Sequence, residues 1–331
     1  MRVSMLLPVY NEQARIAGCL DALAAQTMPR DAFEILIADG GSTDATRRLV
    51  AEYAAQHPDL QLRLLDNPLR STAAGLNVAV RAATGAVLAR VDGHSVVPPH
   101  YLSELEKTLT EPGVWAAGAA VVNADPAAAT VWAAMTSPFG CGGSDYRTPG
   151  TVREVASVQA AAYRREVIDR VGQFDETMQH AEDDEYNWRV TQAGGRIILR
   201  GDLQLGYYPR RTGAELARQM YNYGRGRVRM LKKHPRYLRV KHLVPALFVL
   251  VWYPAVLALA LVVLLAAGGR LPLWWALLPA VPLAAYGVVH LLAVMRAGLR
   301  ERAMVAEFQR CLLAIHTGYG CGFIRQLFAR N

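Results

Sequence analysis

The chain has 331 residues, 52% of them hydrophobic and 19% charged, with a formal charge of +8, enough length for one large or two ordinary domains with a sizeable core. The charge is uneven: residues 1–223 carry 21 Lys or Arg against 26 Asp or Glu, and residues 224–331 carry 15 against 2. Because the basic excess lies in and around two long apolar runs, it argues against nucleic acid as a partner and for anionic lipid. Cys19, Cys141, Cys311 and Cys321 form no CxxC pair, which excludes a zinc finger and fits free thiols in a reducing compartment.

The N-terminal "MRVSMLLPVYNEQARI" offers about six apolar positions before Pro8, Asn11 and Glu12 interrupt it, fewer than the roughly 7–15 of a signal-peptide core. It reads as a first strand that stays in the cytosol. Strand-length apolar runs follow at 33–38, 61–65 and 86–91. Helical patterns separate them: Ile16, Leu20 and Leu23; Leu49, Val50 and Tyr53; Leu76, Val80 and Ala83. Such alternation predicts an α/β fold with a mostly parallel central sheet. Asn11 and Ser42 or Thr43 read as helix N-caps, and Pro99 as a first helical residue. In parallel sheets ligands bind at the carboxyl ends of strands, where "PVYNE", "DGGSTDAT" and "DGH" fall. Neither a dinucleotide-binding glycine fingerprint nor a P-loop is present. Residues 112–150, rich in Ala, Gly and Pro, read as an insertion with a mobile tip.

Two uncharged runs, 243–267 and 271–295, exceed the roughly 20 residues that cross a bilayer and predict a helical hairpin. Eight Lys or Arg between Arg225 and Lys241 precede it, and Arg296, Arg300 and Arg302 follow, which places both ends on the cytoplasmic side. A third apolar segment, 303–328, is interrupted by Glu307, Arg310 and His316 and is either interfacial or a third span.

Taken singly, the polar motifs have plain readings. Asp92-Gly93-His94 is a metal claw or a polar turn, "DGGSTDAT" a turn feeding a helix, and "EDDE" at 182–185 a solvated helix start that suits the macrodipole. In order and spacing, however, "LLPVYNE", "ILIADGGSTDAT", "AAGLNVAVRAATGAVLARVDGH", "AAYRREVIDRVGQFDE" and "AEDDEYNWRVTQAGG" resemble the family 2 inverting glycosyltransferases of GT-A fold, from about residue 3 to 230. "SPFGCGGSDYR", "RQMYNYGRGR" and "HTGYGCGF" look more specifically like membrane-anchored glucosyltransferases of succinoglycan-type exopolysaccharide assembly.

The resemblance implies a transferase domain at 1–223, a basic juxtamembrane segment at 224–242 and a membrane region at 243–331. It implies that Asp39 binds the nucleotide base, that Pro8, Tyr10 and Glu12 frame its pocket, and that Arg70, Arg210 and Arg211 hold the donor with Asp92. Asp92 and His94 stand where the family has its Asp-x-Asp metal motif. In an extended segment their side chains point the same way, and the ion expected is Mg²⁺ or Mn²⁺, imidazole favouring Mn²⁺. Asp183 is the implied general base, with Glu182 beside it. Three positions depart from the pattern: Gly40 replaces a second acid, Tyr207 and Tyr208 stand where a third metal ligand is usual, and Gln219 is followed by Asn222 and Tyr223 where processive synthases carry Gln-x-x-Arg-Trp. The implied reaction moves a hexose from a UDP-sugar to a polyprenyl-diphosphate-linked saccharide at the cytoplasmic face of a bacterial inner membrane. A polyprenyl-phosphate sugar synthase and a non-catalytic membrane scaffold are the competing readings.

Overall fold

The computed structural model describes residues 3–141 and 145–329. They form two compact units, one of Met1–Asp125 with Ser144–Tyr208 and one of Pro126–Gly143 with Pro209–Asn331.

In the first unit, β1 (Val3–Val9), α1 (Ile16–Ala24), β2 (Phe33–Asp39), α2 (Thr46–Gln56), β3 (Leu62–Asp66), α3 (Thr72–Ala82), β4 (Val87–Arg90) and α4 (Tyr101–Leu109) alternate as the apolar pattern requires. β5 (Val114–Asn123) follows; α5 (Ala129–Thr136) belongs to the second unit. β6 (Val152–Glu154), β7 (Ala161–Arg164), α6 (Arg165–Val171), α7 (Glu182–Gln192) and β8 (Arg196–Tyr207) complete the first. The strands make one sheet in the order β3-β2-β1-β4-β7-β5-β8-β6. Pairings β1/β2, β1/β4, β2/β3 and β5/β8 are parallel, and only β6 and β7 run against their neighbours. Buried Leu6, Leu36, Leu88, Tyr163, Tyr186 and Leu199 share one core cluster, each such aliphatic side chain contributing roughly 1.5–3 kcal/mol by burial.

Three local expectations are corrected. Asn11, Ser42 and Thr43 cap no helix: α1 starts after Arg15 and α2 after Ala45. Their polar groups join two loops instead, with Thr43 N–H donating to Asn11 Oδ1 (2.8 Å) and Asn11 N–H to Ser42 Oγ (2.9 Å). Pro99 likewise precedes α4, whose N-cap is His100. The supposed insertion at 112–150 contains β5, a ten-residue central strand. Its alanines and glycine reflect close packing, since a Cβ at Gly118 would lie 2.9 Å from Val158 Cβ. The tip residues 142–144 lie outside the described residues.

The second unit is helical: α5, α8 (Gly213–Lys233), α9 (Val240–Ala267), α10 (Leu277–Ala297) and α11 (Arg302–Phe328). A capping box of Thr212 and Glu215 starts α8, which runs unbroken through 223/224, the point at which the charge balance changes. Val131, Met135, Leu216, Met220, Phe308 and Leu312 form its main core. Segment 303–328 is a single helix against α8 and α9, so close to α8 that a Cβ at Gly322 would collide with the Tyr221 carbonyl and one at Gly224 with that of Tyr319. Val240–Ala267 and Leu273–Ala297, 28 and 25 residues, are the helices among the described residues with the length and composition to cross a membrane. Leu257 and Leu264 of the first are 72% and 70% exposed.

The contact at Gly322 predicts that Gly322→Val lowers the thermal unfolding midpoint of the detergent-solubilised chain, by overpacking on the order of 1–3 kcal/mol. Gly287→Val, where nothing lies within 4 Å of the added Cβ, makes the same change in helix propensity and serves as the control. Equal midpoints for the two variants would refute the close packing.

Candidate active site

A cavity of about 210 Å³ opens at the carboxyl ends of β1 and β4. Pro8, Tyr10 and Glu12 from the loop after β1, Arg70 from the loop after β3, and Asp92 and His94 after β4 all line it. Arg90, Asn67, Ser71 and Thr72 line it too and were not among the sequence candidates. The parallel sheet explains the convergence, because every βα loop of such a sheet emerges at the same edge. Among the described residues three non-glycine residues adopt left-handed backbone: Asn11 (φ 54°), Arg70 (φ 57°) and Ala181 (φ 63°). Asn11 and Arg70 sit in loops that build the cavity wall, and Ala181 immediately precedes Glu182. Each costs on the order of 1 kcal/mol, a strain that packed surroundings hold in place.

Asp92-Gly93-His94 is not extended. Ser95 N–H donates to the Asp92 carbonyl at 2.8 Å, closing a turn, yet both side chains still face the cavity. Gly93 is needed because a Cβ there would fall 2.8 Å from Val9 Cγ1. His94 Nδ1 lies 2.8 Å from Glu12 Oε1, and the Tyr207 ring meets the imidazole edge-on at 6.1 Å. A carboxylate on the far nitrogen of an imidazole is the usual support of a metal-binding histidine. With the Asp92 carboxylate beside it, the donor set fits a divalent cation that completes its shell with substrate phosphate oxygens. No group of three or more His, Cys, Asp or Glu suited to a metal occurs among the described residues.

Arg90 connects this wall to α7. Its Nε donates to Asp92 Oδ1 at 3.0 Å, and its Nη1 lies 3.1 Å from Glu182 Oε1. Burial opposes the charge of Asp92, but Arg90 and His94 outweigh it and hold the carboxyl below its ordinary range. The four acids that open α7 are sorted by partner. Glu182 meets Arg90, Asp184 accepts from Ser157 Oγ (2.8 Å) and Glu185 pairs with Arg189 (2.9 Å). Asp183 accepts only the Asp184 N–H (2.8 Å) among the described residues. Desolvation first, then repulsion from Glu182 and Asp184, pushes it up to about 8, against the pull of Arg90. The helix beneath is rigidly seated: Tyr186 stacks on Phe174 at 4.2 Å, and Asn187 Nδ2 donates to the Val158 carbonyl at 2.8 Å.

Other candidates lie elsewhere. The Asp39 side chain is fully buried and accepts from Gly41 N–H, Ser42 N–H, Ser42 Oγ and Arg47 Nη1 (2.8 Å). Burial raises its pKa, but the bonds from Ser42 and Arg47 bring it below the ordinary value. Tyr208 stacks under the Arg15 guanidinium at 3.8 Å. Arg210 and Arg211 belong to the second unit, where Arg211 N–H donates to Glu215 at the start of α8. The missed Arg90 had one sequence signal, a charge inside an otherwise apolar strand.

Comparison with known proteins gives a consistent result. A family model described as "Glycosyl transferase family 2" matches residues 4–172. The chain is 32% identical over 261 residues, 77% of its length and 78% of the relative's, to the succinoglycan biosynthesis protein ExoA of Rhizobium meliloti. It is 27% identical over 228 residues, 69% and 73% of the two chains, to the glycosyltransferase AglE of Haloferax volcanii. Among solved structures it resembles the mannosyltransferase PcManGT of Pyrobaculum calidifontis, in complex with GDP-Man and Mn²⁺, with a TM-score of 0.61, 25% identity and coverage of 99% of this chain and 87% of that one.

The raised Asp183 predicts a pH signature in stability. The neutral carboxyl is favoured in the fold, so its contribution is complete below the unfolded pKa near 4 and is lost as pH rises through about 8. Asp183→Asn removes that loss. Its thermal midpoint minus that of the unaltered chain should widen between pH 5 and pH 8 and then level off. A difference flat across that range would refute the raised pKa.

Proposed function

We propose, from the premise that this chain belongs to the family 2 glycosyltransferases and serves exopolysaccharide or glycan biosynthesis, that it is an inverting, metal-dependent hexosyltransferase. The donor is a UDP-sugar and the acceptor a polyprenyl-diphosphate-linked saccharide. The observation that carries the reading is the place of Asp183: a buried carboxyl, raised first by desolvation and then by Glu182 and Asp184, next to a residue that one buried arginine links to the aspartate in the cavity wall.

The chemistry follows from that arrangement. As the acceptor hydroxyl oxygen attacks the anomeric carbon, ionised Asp183 takes its proton. The new C–O bond forms on the face opposite the nucleotide, the bond from the anomeric carbon to the diphosphate oxygen breaks, and the nucleotide diphosphate leaves with the electron pair. Asp92 and His94 would hold the divalent cation, which when bound neutralises charge on the diphosphate. Glu12 orients the His94 ring, and Pro8, Tyr10 and Arg70 shape the donor pocket. Asp39, saturated by its own loop, acts by fixing that loop beside Arg70.

The lipid part of the proposal rests on two lipid-suited helices and the basic run from Arg225 to Lys241. These features suit an anchored enzyme with its transferase unit in the cytoplasm and an acceptor that carries an anionic diphosphate at the membrane surface.

Purified chain in detergent, offered a panel of nucleotide sugars, lipid-linked saccharides and Mn²⁺ or Mg²⁺, should release nucleotide diphosphate with one donor and acceptor. Asp183→Asn should lower kcat by at least about 10³-fold while binding nucleotide normally, and turnover at the ordinary rate would refute the base. Because the base must be ionised, kcat/KM should climb with pH and reach half its plateau near 8. His94→Ala should weaken Mn²⁺ affinity more than Mg²⁺ affinity by calorimetry, and unchanged affinities would remove it from the metal site.

A further inference from the structure

We propose that Arg90 is the positioning residue of this site: its guanidinium fixes the Asp92 carboxylate at the end of β4 and the Glu182 carboxylate at the start of α7 to one another, and thereby sets where Asp183, the next residue along the helix, meets the acceptor hydroxyl. The inference rests on the reading of Asp183 as base. Arg90 is 7% exposed, an unusual place for a cation unless charges of opposite sign hold it. Two do, at 3.0 Å from Nε and 3.1 Å from Nη1. Both lie within reach of one planar group, which an ammonium could not span. The Nη1 contact is an ion pair without hydrogen-bond geometry, and that atom is enclosed with no hydrogen-bond partner, so Glu182 is held mainly by charge.

The need for such a tie is visible in the backbone. α7 begins directly after Ala181, whose left-handed φ of 63° is unfavourable for a residue with a Cβ. Four consecutive acids begin the helix and repel one another. Asp184 and Glu185 are tied to Ser157 and Arg189, and Arg90 provides the tie from the adjoining strand β4 to the residue next to the base. Since an error of about 1 Å in a reacting group costs about 10²-fold in rate, a charge that fixes this helix start acts on kcat through the placement of the base.

The test uses the full chain in detergent with Arg90→Met, Arg90→Lys, Glu182→Gln, the Arg90→Met/Glu182→Gln pair and Asp183→Asn. For each, kcat, KM for the donor, nucleotide affinity by calorimetry and thermal midpoint are measured. Arg90→Met should lower kcat about 10²-fold, a larger effect than on donor KM or nucleotide affinity. Adding Glu182→Gln should restore roughly tenfold of the loss, because it removes the buried carboxylate left without a counter-charge. Arg90→Lys should stay close to Arg90→Met. If Arg90→Met does not fold, Arg90→Lys and Glu182→Gln combined must give a smaller loss than the product of their separate losses. Loss of nucleotide affinity with kcat preserved would make Arg90 a donor contact and overturn the proposal, as would a double variant no faster than the single one, or separate losses that multiply. Normal turnover by Asp183→Asn would overturn the base assignment itself. A dead Asp183→Asn beside an unaffected Arg90→Met would overturn the Arg90 role alone.

Discussion

Arg90 sits in the one place where the two halves of the candidate chemistry could come apart. The cavity wall is made by loops at the ends of β1, β3 and β4, whereas the acids of α7 arrive from about ninety residues further along the chain. A buried guanidinium within 3.0 and 3.1 Å of a carboxylate from each side makes their separation costly, since either acid left alone would be an uncompensated charge out of water. Burial, then Glu182 and Asp184, raise the proton affinity of Asp183 while the same cation draws it down, and the balance leaves that carboxyl near neutral pH.

Around this centre, polar groups hold backbone in place as much as they offer chemistry. Asp39 illustrates the point. In a loop that must turn sharply after β2, its carboxylate collects two backbone N–H groups, a hydroxyl and Arg47. Asn11, left-handed at φ 54°, likewise accepts from Thr43 N–H. These bonds fix the two loops to each other, and Tyr10, Glu12 and Arg70 take their positions in the cavity wall from loops so anchored.

The second unit combines a buried apolar core with close helix contact: its α8 and α11 approach so closely at Gly224 and Gly322 that backbone faces backbone. The two apolar helices present leucine outward along most of their length. In the first unit such side chains are interior, in the cluster of Leu6, Leu36 and Leu88. The contrast within one chain separates helices whose apolar side chains face outward from a core folded away from water.

The order of the first four strands and their helices, the mostly parallel sheet, the edge at which ligands gather and the two apolar helices could be read from the sequence, because each rests on local periodicity, run length or loop position. The family could be read as well, from motifs in register. What escaped was how particular side chains pair across distant segments. Asn11, Ser42 and Thr43 have the chemistry of caps, but tertiary contacts gave their hydrogen bonds to a neighbouring loop. The alanines and glycine of β5 resembled an insertion, because small size signals a loop locally and close packing in a sheet centre. No pattern announces that Arg90 reaches both Asp92 and Glu182, or that Asp39 spends its carboxylate on its own loop. Residue order fixes which groups the chain possesses and which strand ends bring them to one edge. Only folding decides which of those charges neutralise one another and which is left able to take a proton, since electrostatic energies depend on distance and burial, and neither is written in the order of residues.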